Sequence, residues 1–130
     1  MGDRAQLAKS WIQKAQHDLG MAKLALDHQV EYTDAICNHC HQACEKFLKA
    51  YLVAPEIPFE KKHDLVYLID LIAEKDPRIK DFYDQAEELQ NYAVLVRYPE
   101  EIFEPSSQDA QTAYRIALNI ESSILSRINT

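Results

Sequence analysis

The sequence predicts an all-α fold, an antiparallel up-and-down four-helix bundle with an extra short helix. Three observations lead there. Apolar residues recur at helical spacing in four long stretches and one short one. The five prolines, at positions 55, 58, 77, 99 and 105, all fall where those stretches stop. Only two glycines occur, Gly2 and Gly20, so no glycine after residue 20 can supply the left-handed positions that hairpins and phosphate-cradling loops draw on. That distribution argues against an all-β fold, a Rossmann fingerprint, a P-loop and a nucleophile elbow. With 130 residues, 47% of them hydrophobic and 27% charged, the chain is expected to form one domain, 1–130, and needs no staples.

The first helix is expected over 5–27, with Leu7, Trp11, Ala15, Leu19, Ala22 and Leu26 on one face. The second runs from Thr33 or Asp34, both of which offer N-cap oxygens, to Val53, before Ala54-Pro55. PEIPFEKK reads as a loop. Asp64 can cap a short helix with Leu65, Leu68, Ile69 and Ile72 facing inward. Asp76-Pro77 then gives an N-cap followed by proline at the first helical position. The helix it opens carries Ile79, Phe82, Ala86, Leu89 and Ala93, and ends near Arg97-Tyr98-Pro99. Ser106 with Asp109 forms a capping box before the last amphipathic helix, marked by Ala110, Ala113, Ala117, Ile120, Ile124 and Ile128. The three alanines form a small-residue stripe that suits either burial inside the bundle or the seam of a twofold dimer.

Formal net charge is −7, and it is unevenly distributed. Residues 81–109 hold eight acids against Arg97 alone, while the rest of the chain balances. No broad basic face exists for duplex DNA. The one basic cluster is local: Lys46 and Lys49, with Lys61, Lys62 and His63 beyond the next turn, suits a small anion or a short stretch of RNA. The start is charged within four residues and no apolar run reaches membrane length, so no membrane partner is expected and the chain reads as cytoplasmic. Three cysteines, an odd number, fit a reducing compartment.

The densest chemistry lies in ICNHCHQACEKFLKAYL, residues 36–52. On a helix, Ile36, Cys40, Ala43, Cys44, Phe47 and Tyr51 share a face, with Cys37 and His41 at its edge. The cysteines therefore read as reduced core thiols. Cys37/His41 and Cys40/Cys44 are i, i+4 pairs, but four ligands on one straight helix cannot close a tetrahedron, and no metal or cofactor is expected. Glu60-Lys61-Lys62-His63 matches the Glu-x-x-His of di-iron bundles only once, in a Lys-rich loop, and reads as solvated. Acid–base work by paired carboxylates stays open, although the acids of 81–109 read as solvated helix faces. Opposite the cysteine face lie Gln42, Glu45, Lys46 and Lys49, bordered by His39, as an exposed stripe. With His63 after the loop and Tyr92, Arg97 and Tyr98 ending the fourth helix, cations meet aromatic rings, which is what a nucleotide needs. The candidate nucleotide- and phosphate-binding residues are His39, Gln42, Lys46, Lys49, His63, Arg97 and Tyr98. No catalytic residue is assigned.

Three blocks then resemble the HEPN family of small helical proteins. HCHQACEKFLKAYL (39–52) is similar to its His-x-x-Gln-Ala-x-Glu-Lys-x-x-Lys-Ala-x-Leu pattern, KKHDLVYLI (61–69) to its Lys-x-His-x-Leu, and YAVLVRYP (92–99) to its Arg-Tyr-Pro. Trp11 and the Ala-Gln-x-Asp-Leu of 15–19 extend the resemblance over nearly the whole chain. It implies the same bundle, usually as a homodimer, nucleotide binding, and often a partnership with a minimal nucleotidyltransferase, in some cases as a toxin–antitoxin pair. The family's ribonuclease branch carries Arg followed four to six residues later by His. This chain has no histidine beyond His63, and Arg97 is followed by YPEEIF. Catalysis is therefore not expected, and an RNase with a degenerate site and a purely structural interaction subunit stand as the alternatives to a binding module.

Overall fold

The computed structural model describes residues 2–28, 31–95 and 104–128. They form α1 (Gly2–His28), α2 (Thr33–Val53), α3 (Leu65–Ala73), a 3-10 turn at Pro77–Phe82, α4 (Tyr83–Leu95) and α5 (Ser107–Ile128). Among the described residues there is no strand, and no helix is long and apolar enough to cross a membrane.

Most helix starts obey their local signals. The Asp64 carboxylate accepts from the Tyr67 N–H at 3.2 Å. Asp76 accepts from the Arg78 N–H at 3.1 Å, with Pro77 in the first helical position. Ser106 and Asp109 close a reciprocal capping box: the Asp109 N–H donates to Ser106 Oγ at 3.0 Å and the Ser106 N–H to Asp109 Oδ2 at 2.9 Å. Two expectations need correction. Thr33 is already helical, the cap position belongs to Tyr32 with no side-chain cap bond, and Asp34 accepts from its neighbour, the Ala35 N–H. The segment after Asp76 opens as a 3-10 turn instead of an α-helix. Its i→i+3 winding carries Ile79 into the core while the Tyr83 hydroxyl donates to Asp70 on α3. The expected end of that helix, Arg97-Tyr98-Pro99, lies outside the described residues.

α2 packs against α1, α3, α4 and α5 and so runs through the middle of the molecule. Ile36, Cys37, Cys40, Cys44, Phe47 and Leu48 on it are fully buried. α1 contributes Ala8, Ala15, Leu19 and Ala22. Leu7, expected inward, is 49% exposed: stepping back from Ala22 through Leu19 and Ala15 brings Ala8, one residue or about 100° away, onto the core. Ala110, Ala113 and Ala117 of α5 are buried within the chain, so the small-residue stripe serves internal helix approach. The cysteines lie in the core as free thiols. Burial, with Asp109 and Asp34 nearby, pushes the Cys37 thiol up to about 12, and burial raises Cys40 and Cys44 as well.

After α2 the chain reverses. The Ile57 N–H donates to the Leu52 carbonyl at 3.0 Å and the Glu56 N–H to the Val53 carbonyl at 3.1 Å, with Glu56 left-handed at φ 58°. That Schellman-type closure ordinarily places glycine there, and a non-glycine residue costs about 1 kcal/mol. The reversal sends residues 57–63 back along α2, which positions the site below.

Gly20 is exposed inside α1, and a Cβ there would meet nothing within 4 Å. Gly20→Ala should therefore raise the unfolding free energy by about 0.5–1 kcal/mol in urea titration, and a loss of stability would contradict the placement. The three thiols should resist a soluble disulfide reagent at about pH 8 until the protein unfolds, since thiolate is the reactive form.

Candidate functional site

The polar stripe of α2 is not an exposed face. Because α2 is central, the stripe lies under α1 on one side and under the returning loop on the other, and Glu45 and Lys49 are only 6% and 8% exposed. The expectation of a solvated Lys/Glu face is corrected for these two residues. One turn apart on the helix, they form a buried ion pair, with Lys49 Nζ donating to Glu45 Oε2 at 2.8 Å. The Lys49 ammonium also lies 5.5 Å from the Trp11 ring centroid and 5.6 Å from that of Phe59. Two aromatic faces thus replace part of its lost water. Trp11 comes from α1 and Phe59 from the loop, so three segments meet on one cation.

The same carboxylate takes a third partner. His63 Nδ1 stands 2.9 Å from Glu45 Oε1 and 3.2 Å from Oε2. An ionised carboxylate only accepts, so Nδ1 carries the proton and Nε2 is left as the ring nitrogen for a ligand. The His63 side chain is 63% exposed, which opens that nitrogen to the outside. Burial alone would raise the Glu45 carboxyl, but the hydrogen bonds and charges of Lys49 and His63 outweigh it and hold it below the usual carboxylate range. The loop is fixed from the other end: the Glu60 N–H donates to the Tyr67 hydroxyl at 2.9 Å, Lys62 Nζ lies 4.8 Å from the Tyr67 ring centroid, and the Leu65 N–H donates to Gln90.

A second cluster continues along the α1–α2 seam. Asp18 receives Lys46 Nζ on Oδ2 at 2.6 Å and His39 Nδ1 on Oδ1 at 3.0 Å. Gln42, half-buried, sits one helical turn from both His39 and Lys46. Of the sequence-predicted residues, His39 and Lys46 therefore share one carboxylate, and Lys49 and His63 share another. Arg97 and Tyr98, with Glu100 and Glu101, lie outside the described residues. Tyr92 does not join the stripe: its hydroxyl donates to Glu88 at 2.6 Å, and its electrostatic neighbours include Asp109 and Cys37.

The sequence patterns single out neither Asp18 nor Phe59 as a site residue, and they place Glu45 only in an exposed stripe. A signal for Asp18 existed: it follows Trp11 by seven residues, hence lies on the same side of α1. Chemically, the arrangement presents two carboxylate-oriented imidazoles and one half-buried ammonium along a seam. Among the described residues, no group of three or more His, Cys, Asp or Glu is arranged to hold a metal.

Lys49→Met would leave Glu45 buried with His63 as its remaining partner, and should lower the unfolding free energy by about 3 kcal/mol at neutral pH. Adding Glu45→Gln should restore most of that loss. Glu45 has its folded-state pKa lowered, so its contribution is present above the unfolded value of about 4.3 and disappears as pH falls through the lower folded one. The stability difference between wild type and Glu45→Gln should accordingly shrink below about pH 4; a difference that ignores pH would contradict the ion pair.

The family model for the HEPN domain matches residues 8–127. No curated protein and no solved structure shows significant similarity to the chain. The match runs from the first turns of α1 to the last turn of α5 and takes in every residue of both clusters, so the chain belongs to the HEPN family.

Proposed function

We propose that the chain is a HEPN-type nucleotide- or RNA-binding module that works in the cytoplasm as a homodimer and as the partner of a minimal nucleotidyltransferase, a pairing that in some family members forms a toxin–antitoxin system. In this reading the helices form an up-and-down four-helix bundle with α3 as the extra short helix. Supporting that order, Arg4 at the start of α1 donates to the Ala54 carbonyl at the end of α2, and Gln16 of α1 reaches Glu121 of α5.

The observation that carries the binding reading is the Glu45-held imidazole of His63. Its Nδ1 is engaged inside, so its outer nitrogen is pre-aimed at a ligand, and little rotamer freedom remains to be lost on binding. Lys49 serves from within, as the buried counter-charge that keeps Glu45 ionised. His63 and Lys46, with His39 and Gln42, offer the outward contacts, and Arg97 and Tyr98, outside the described residues, are the further candidates by residue type, a forked cation and a ring. The same oriented imidazole is the part that acid–base cleavage of RNA would use, and this observation favours the RNase alternative over the purely structural one.

ATP or a short single-stranded RNA should raise the melting temperature of the wild type by more than that of His63→Ala or Arg97→Ala, each variant remaining folded by circular dichroism. Equal stabilisation of all three would place the ligand elsewhere, and none in any would favour an interaction subunit. Metal-free incubation with single-stranded RNA separates the remaining pair: cleavage abolished by His63→Ala would replace the binding module with the enzyme.

A further inference from the structure

A cleft of about 700 Å³ lies where the last turn of α2, the joint between α3 and the 3-10 turn, and the last turn of α5 meet. It shares no residue with the α2 stripe. Its size falls in the range of small-molecule sites, large enough for a nucleotide and far larger than a bare phosphate requires. The chain's net charge is −7, yet this concavity is lined by three cations, Lys75, Arg78 and Arg127, against the carboxylates of Asp76 and Asp81.

Those charges divide into a fixed floor and an open rim. Asp76 is used internally: Oδ2 accepts from Arg127 Nε at 2.7 Å and Oδ1 from the Arg78 N–H at 3.1 Å. Arg127 in turn donates to Ser123, so the pair ties the C-terminal turn of α5 to the start of the 3-10 turn. Lys75 and Arg78 stand at the rim, both exposed, and the contact between Arg78 and Asp76 is loose at 4.0 Å with the arginine side chain 89% exposed. Such a contact is worth little, so an anion can take the guanidinium. Tyr51 and Phe82 pack against the core and also line the cleft, which makes them firm aromatic walls. Ser126 gives its hydroxyl proton to the Ser123 carbonyl, which leaves its oxygen as an acceptor, and the Asp81 carboxylate lines the same cleft.

We infer that this cleft is a second nucleotide site, in which Lys75 and Arg78 take the phosphates, Phe82 and Tyr51 wall the base, and Asp81 with Ser126 accepts from the ribose hydroxyls. Cations alone would suit any anion, and rings alone any apolar body. Their convergence with hydroxyl acceptors in one cavity selects a phosphorylated nucleoside. Removing the base or the phosphate should therefore cost affinity separately. This assignment is independent of the His63 site.

The test is isothermal titration of the full chain with ADP, adenosine and inorganic phosphate, accompanied by amide chemical-shift mapping. ADP should shift amides of residues 75–82 and 126–127, and should bind about tenfold more tightly than either adenosine or phosphate. Lys75→Gln/Arg78→Gln should abolish those shifts and leave the ones around His63 in place. Asp81→Asn should raise the affinity for phosphate alone severalfold, a gain that a damaged fold cannot produce. Shifts at residue 63 and its neighbours without shifts at 75–82 would overturn the second site and leave the proposed function standing. Shifts at 75–82 without any near His63 would do the reverse. Phosphate binding as tightly as ADP would overturn the nucleotide assignment.

Discussion

A buried charged pair on α2, Glu45 with Lys49, constrains everything around it. Taking either charge out of water alone costs several kcal/mol, so each needs its partner and each needs further neighbours to replace hydration. The carboxylate gets them from His63, and the ammonium from the faces of Trp11 and Phe59. Three parts of the chain far apart in sequence must therefore arrive together: the first helix, the α2 core and the loop after it. The pair thus acts as a register device. An apolar pair of similar size would pack with any neighbour, whereas this one is satisfied only when the loop returns far enough to bring His63 back.

The functional consequence follows from the direction of that constraint. The carboxylate fixes the imidazole from inside, and in the proposed function the exposed edge of the ring is the part that would face a ligand. Asp18 repeats the pattern with His39 and Lys46 along the same seam. Two carboxylates balance two ammoniums in this region, so it is not a strongly basic patch, and its recognition chemistry rests on oriented groups more than on net charge. That suits a nucleotide or an RNA end better than a long duplex, whose binding scales with the number of phosphates neutralised.

Much of the fold was legible in the sequence because its signals are local. The Asp64 and Asp76-Pro77 caps, the Ser106/Asp109 box, the bounds of α2 and the inward cysteine face each depend on a few adjacent residues and appear as expected. What escaped depends on distant partners. A helical stripe of Gln42, Glu45, Lys46 and Lys49 reads as solvated unless another segment covers it, and nothing within residues 36–52 announces that α1 and the loop both do. The tie between Asp76 and Arg127 spans 51 positions and leaves no pattern in either neighbourhood. Leu7 and Ala8 were exchanged because an apolar repeat fixes a face only to within one residue. Glu56 took a left-handed position because the reversal after α2 demands one and the chain has no glycine there.

The tautomer of His63 tests the central claim most directly. Long-range proton–nitrogen correlation spectra of uniformly labelled protein, recorded where the ring is neutral, distinguish the two ring nitrogens without perturbing the site. The account predicts Nδ1 protonated and hydrogen-bonded, with a bare Nε2 whose resonance moves as ATP is added and stays fixed when sodium chloride of matched ionic strength replaces it. A ring protonated on Nε2, or averaging between tautomers as a freely rotating surface histidine does, would contradict it, because Glu45 would then not be holding the imidazole.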